Sequence, residues 1–210
     1  MALMKEEIKT ISKWLGSGSI DIFGCPFSGK DTQGEILAKL FGGEMISGGD
    51  ILRSHKEPEK IDQAIGSGGL VPSDFYLDLV LPYLSQRKYS GKPLILSAVG
   101  RSHGEEPQVI KAAADSGHPI KAVILLDLTE QEVWRRFEES KVEGDRGKRA
   151  DDKRAIIQNR LKKYNTRTVP VIDYYHRVGL LIEVNGTLPR EEVTDEILKG
   201  LVNKSKNLKH

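Results

Sequence analysis

The sequence predicts an α/β fold, a parallel sheet with helices on both faces, as one domain carrying inserts. Three observations carry that expectation. Near-continuous apolar runs of strand length at 92–99, 120–128 and 179–186 alternate with segments whose apolar residues recur at helical spacing, as expected for strands buried on both faces and joined by crossover helices. A β-favouring run at 19–23 passes through a glycine-containing loop into a helical segment at 29–41. The 210 residues, 38% of them apolar, suffice for one substantial core.

Taken in order, Met4, Ile8, Ile11 and Leu15 recur at helical spacing before Gly16, predicting an amphipathic first helix with a packing role. The strand 19–23 ends at Gly24. In the helix that follows, Ile36, Leu37, Leu40 and Phe41 share one face, and Gly42 and Gly43 stop it. Further helices are expected at 75–84, 108–114, 130–137, about 151–163, 171–178 and 190–201. Polar, glycine-rich stretches around 47–73 and 138–149 break the alternation and read as inserts above the sheet. The tail beyond 201 is expected to be frayed or solvated.

Composition excludes several classes of function. The formal net charge of +2, from 32 basic and 30 acidic residues, is not the basic excess of a nucleic-acid-binding domain. One cysteine, Cys25, can form neither an internal disulfide nor a cysteine zinc cage. It is either an oxidation-sensitive thiol near positive charge or, in our preferred reading, a small filler. The histidines at 55, 103, 118, 176 and 210 lack metal-ligand spacing. No segment approaches eighteen apolar residues, and residues 1–18 have no long apolar stretch ending like a cleavage site. These features predict a cytoplasmic protein with no nucleic-acid or membrane partner.

Gly24, Gly29 and Lys30 satisfy G-x-x-x-x-G-K. Glycines let backbone N–H groups turn inward on phosphate oxygens, and the lysine reaches the outer phosphates. Because the loop follows a strand and opens a helix, the helix N-terminus adds its partial positive charge. The hydroxyl that meets Mg²⁺ normally follows the lysine directly, whereas here Asp31 intervenes and Thr32 comes second.

The loop "FGCPFSGKDTQ" is followed by "ISGGDILR" (46–53), "GLVPSDF" (69–75), "RADDKRAIIQNRLKKYNTRTVPVIDYY" (149–175) and "IEVNGT" (182–187). In that order and spacing the chain resembles the adenylate kinase family of nucleoside monophosphate kinases. The resemblance implies a P-loop kinase domain over 1–210, with core segments 1–46, 77–136 and 149–210. It also implies a monophosphate-binding insert at 47–76 and a short lid at 137–148, which holds no cysteine to bind zinc. The implied reaction moves a phosphoryl group from ATP, with Mg²⁺, to a nucleoside monophosphate, within a monomer. AMP is the first acceptor; CMP or UMP, or a nucleotide-binding paralogue with weak or lost catalysis, are the alternatives.

By motif matching, the resemblance implies an ATP side built from Gly24, Pro26, Ser28, Gly29, Lys30, Asp31, Thr32, Arg136, Gly186 and Leu188. Either of the adjacent pair Arg135 and Arg136 could be the solvated one. The monophosphate side is implied to comprise Ser47, Gly48, Arg53, Leu70, Val71, Arg101 and Gln108, the last only if three extra residues separate it from Arg101. Arg149 and Arg160 bridge the two nucleotides, and Lys30, Arg101, Arg136, Arg149 and Arg160 carry the transfer. Asp151 and Asp152 cap the helix that follows or restrain the lid arginines. The chain departs from the family pattern in several places: Phe27 and Asp31 replace glycines of the loop, Gly48 replaces a threonine near the base, and Ser97, Ala98, Val99 and Gly100 stand where the family has the D-G-F-P of D-G-F-P-R, so the aspartate is lost. Asp31 is then either a substitute for that aspartate, reaching Mg²⁺ with Thr32, or a helix-start residue favoured by the dipole and catalytically silent.

Overall fold

The computed structural model describes residues 2–49, 52, 72–143 and 153–207. Five parallel strands are present: β1 (Ser19–Gly24), β2 (Glu44–Ser47), β3 (Leu94–Ser97), β4 (Ile120–Asp127) and β5 (Leu181–Asn185), in the spatial order β2-β3-β1-β4-β5. The described helices are α1 (Ala2–Leu15), α2 (Lys30–Phe41), α3 (Ser73–Leu84), α4 (Glu106–Asp115), α5 (Glu130–Glu143), α6 (Arg154–Lys163), α7 (Val169–Arg177) and α8 (Arg190–Asn207). A short 3₁₀ turn, Arg87–Tyr89, precedes β3, and a π-turn, Tyr164–Thr168, joins α6 to α7. No helix among the described residues is long and apolar enough to cross a membrane.

Alternation along the strands sorts the side chains into two layers. Phe23, Leu94, Leu96, Val123 and Leu125 point to one face, where Tyr76, Leu77, Val109, Ala113, Val171, Ile172 and Tyr175 cover them. Ile20, Ile22, Ile95, Ala122, Ile124 and Leu126 point to the other, under Ile11 and Leu15 of α1, Leu37 and Phe41 of α2, and Val193, Ile197 and Leu201 of α8. Thus α2 lies on one face and α4 on the other, although the strands they follow, β1 and β3, are neighbours with Ile22 paired to Ser97. That reversal opens a crevice at the carboxyl ends of the strands, where ligands bind in open α/β sheets. A third, smaller cluster, Cys25, Phe27, Val133, Phe137, Ile157 and Leu161, packs α5 and α6 beneath the loop after β1.

Several expectations shift. β2 was not foreseen, since Glu44–Ser47 is four residues long and only Ile46 in it is buried. α5 continues past 137, through a stretch with no apolar periodicity to reveal it. α8 continues to Asn207, so the tail is not frayed over 202–207: Val202 is buried, and the Ser205 hydroxyl donates to the Val202 carbonyl at 2.7 Å. Most of the two inserts, 50–51, 53–71 and 144–150, lies outside the described residues.

One buried group sets a pH dependence. Asp21 of β1 is fully buried; its Oδ1 accepts a long bond from the Val99 amide, 3.4 Å, and its Oδ2 has no partner among the described residues. Burial pushes its pKa up to about 8, with backbone N–H groups opposing. Between the unfolded value, 3.8, and about 8 the native state keeps a proton that the unfolded chain has lost, so stability falls as pH rises through that window. Asp21→Asn removes this dependence. Its stability relative to the unaltered chain should therefore grow by up to about 1.4 kcal/mol per pH unit, each kcal/mol being about 2–4 °C of Tm at this size. Thermal melts of both proteins from pH 5 to 8 check this, and a Tm difference independent of pH would refute it.

Candidate active site

The loop between β1 and α2 lies at the mouth of the crevice. Gly29 caps α2 in a left-handed conformation (φ 84°), so the helix begins at Lys30 with its first-turn N–H groups facing the loop. Pro26 and Ser28 are buried within it; Ser28 Oγ has no partner among the described residues although it lines a cavity of about 230 Å³. Gly29, Thr32, Gln33, Arg136, Gly186, Leu188, Arg190 and Val193 complete that cavity. A hydroxyl donor, a helix N-terminus and an apolar wall thus share one space, suited to a phosphate chain leading to a flat base.

Arg136 closes the cavity on one side and resolves the ambiguity of the adjacent pair. It donates to the Phe27 carbonyl at 3.2 Å and the Gly186 carbonyl at 2.6 Å, tying the two loops together, while its Nε donates to Glu132 at 2.7 Å. Arg135, 55% exposed against 22% for Arg136, pairs with Glu132 and Glu139 on the outer surface. Held first by Arg135, and also by Arg136, the Glu132 carboxyl drops to about 2. Gln33 braces the floor: it donates to the Arg190 carbonyl at 3.0 Å and accepts from Thr194 Oγ1 at 2.9 Å.

Arg101 follows β3, on the opposite side of β1 from β4 and β5, and both it and Arg160 act electrostatically on Lys30. The Lys30 ammonium is pulled below its ordinary pKa by burial first, and then by the charges of Arg160 and Arg101, while Asp31 opposes. Four charged groups therefore share one field. Arg101 is presented by the turn after β3, where Ala98 adopts a left-handed φ of 50° and the Arg101 carbonyl accepts from Thr168 Oγ1 at 2.9 Å. Between the turn and the loop, the Ser97 hydroxyl donates to Asp31 Oδ1 at 2.5 Å.

Ser47 ends β2, the neighbour of β3, and Gly48 follows it. A side chain on Gly48 would meet the Tyr76 hydroxyl at 2.4 Å, so the buried tyrosine fills the space that a threonine would occupy there. The same hydroxyl accepts from the Gly100 amide at 3.3 Å. Gln108 is exposed on α4, whereas Glu105, four residues after Arg101, is buried and accepts from Ser73 Oγ and the Ser102 amide at 2.5 and 3.0 Å. Arg53, Leu70, Val71, Arg149, Asp151 and Asp152 lie outside the described residues. Sequence reasoning overlooked Glu132, Gln33, Tyr76 and Glu105 as parts of the site. Glu132 carried a local signal, its spacing of four residues from Arg136 on a helix, and Gln33 closes the quoted loop motif.

Cys25 is buried, and its thiol is pushed up to about 11, chiefly by burial, with Lys30 and Arg136 opposing. That favours the filler over the reactive thiol.

Phe27 holds a φ of 65° that L-residues rarely adopt, and its ring leaves the cavity to meet Phe137 edge-on at 5.7 Å. Two effects of opposite sign follow. Phe27→Gly relieves about 1–2 kcal/mol of backbone strain but forfeits about 3–5 kcal/mol of ring packing. Packing wins, and urea melts should show Phe27→Gly destabilised by about 2 kcal/mol. A variant as stable as the parent would contradict this balance.

Comparison with known proteins gives concordant results. The family model described as adenylate kinase matches residues 22–180. The chain is 32% identical over 191 residues to an adenylate kinase of Parabacteroides distasonis, covering 88% of this chain and 98% of that protein. It is 31% identical over 214 residues to an adenylate kinase of Kosmotoga olearia, covering 88% and 99%. Against an adenylate kinase of Thermus thermophilus it is 29% identical over 189 residues, covering 87% and 96%.

Proposed function

The chain belongs to the adenylate kinase family, and we propose that it acts as a cytoplasmic monomer that transfers the γ-phosphoryl group of ATP to AMP. The observation that carries the reading is the two-sidedness of the loop. One flank opens on the cavity bounded by Gly186, Leu188 and Arg136, and the other meets the field of Arg101 and Arg160 at Lys30. A donor seated on the first flank extends its terminal phosphate toward the second, where an acceptor phosphate is held.

In the transfer, an acceptor phosphate oxygen forms a bond to the γ-phosphorus as the bond from that phosphorus to the β,γ-bridging oxygen breaks, leaving two diphosphates. Such chemistry needs positioning, charge neutralisation and exclusion of water rather than a covalent partner. Lys30 neutralises the outer donor phosphates, and Arg101 holds the acceptor phosphate together with Arg53. Arg160 and Arg149 bridge the two, each planar fork binding two oxygens as charge spreads. Arg136 fixes the loop against the adenine-side turn through the two carbonyls it already binds. Ser47, Gly48, Leu70, Val71 and Gln108 make up the rest of the acceptor side in this reading.

The residues present suit Mg²⁺: the Thr32 hydroxyl on the cavity wall and the Asp31 carboxylate steadied by Ser97 are hard oxygen donors. Bound with ATP, the ion would neutralise charge building on the β- and γ-phosphate oxygens.

ADP release measured with AMP, CMP, UMP and GMP as acceptors tests the assignment. AMP should give the highest kcat/KM, and Arg160→Ala should lower kcat with AMP by about 10³-fold, the usual worth of a transition-state arginine. Tight ATP binding with no turnover on any acceptor would overturn the reading.

A further inference from the structure

We propose that Asp31 supplies, from the first turn of α2, the carboxylate that orders the water shell of ATP-bound Mg²⁺, and that Ser97 is the positioning residue that aims it. The inference deepens the functional reading above and rests on it. The crevice between β1 and β3 is where the phosphates lie in that reading, and a metal-side carboxylate there would ordinarily come from the tip of the neighbouring strand. That tip is Ser97, which is 3% exposed and has no charge to offer. Its hydroxyl instead donates to Asp31 across 66 residues of sequence.

A carboxylate at a helix start gains from the dipole wherever it points, so the dipole alone does not account for its being tied to a buried hydroxyl on a strand of the opposite flank. The Ser97 bond, donated to Oδ1 at 2.5 Å, fixes the direction of the carboxylate. Asp31 also lies between Lys30 and Thr32 and opposes the charges of Arg160 and Arg101 at Lys30.

The sign of the electrostatics separates this role from a structural one. An ionised carboxylate repels the phosphates of metal-free ATP and attracts Mg–ATP through the ion's waters. Asp31 therefore weakens the first complex and strengthens the second.

Calorimetric titration of ATP into the full chain, in excess Mg²⁺ and in EDTA, reads both. In Asp31→Asn the gain in ATP affinity from Mg²⁺ should shrink by about 10- to 100-fold, as for loss of an outer-shell partner, with metal-free binding unchanged or tighter. Ser97→Ala should move the same way by less, and Asp31→Gly combined with Ser97→Asp should restore the gain. Ser97→Ala keeps the comparison decisive should Asp31→Asn not fold. Equal weakening with and without Mg²⁺, or no change in either, would overturn the role of Asp31 while leaving the kinase assignment standing. Failure of the unaltered chain to bind ATP at all would overturn both.

Discussion

Cations that grip phosphate repel one another, and the carboxyl edge of this sheet holds Lys30, Arg101 and Arg160 within one field. Burial of Lys30 raises the cost further, because desolvation penalises its charge. The fold meets this constraint by placing the groups on separate rigid elements. Lys30 opens α2, Arg101 ends the turn after β3, and Arg160 rides on α6. No single segment could adjust to separate them without breaking the packing of a helix on the sheet. At Lys30 the opposing charge is that of Asp31, and a polyanionic substrate adds to it.

That edge is also where the backbone is most constrained. Phe27 and Ala98 adopt left-handed conformations, φ 65° and 50°, at two positions where the adenylate kinase pattern has glycine. Each is held by its surroundings: Phe27 by Phe137 and the cluster beneath the loop, and Ala98 by the bond from its amide to the Ile22 carbonyl at 3.0 Å. The cluster under Phe27 joins the loop after β1 to α5 and α6, the helices on either side of residues 144–153. Packing in the core and the geometry of the site are thus coupled through one aromatic ring.

Much of this was legible in the residues. The apolar runs at 120–128 and 179–186 and the G-x-x-x-x-G-K spacing fixed the sheet and the loop, since periodicity and glycine placement are local properties. The strand β2 escaped notice because Glu44–Ser47 shows only one buried apolar residue. The last turns of α8 were hidden behind the lysines of 202–207, while Val202 and Ser205 find burial only through tertiary packing. In the site, Arg136 was distinguished from Arg135 only by the carbonyls it meets 109 and 50 residues away. The bond from Ser97 to Asp31 and the Tyr76 hydroxyl beside Gly48 likewise join distant segments, and such pairs leave no trace in local pattern.

The central claim is that these cations converge on one continuous row of phosphates shared by two nucleotides. Calorimetry with two adenosines joined through five phosphates tests it most directly. The account predicts binding at least about 10²-fold tighter than ATP, as for a ligand spanning both subsites, with the advantage lost in Arg160→Ala. Affinity no greater than that of ATP alone would mean that the two flanks of the loop do not form one site.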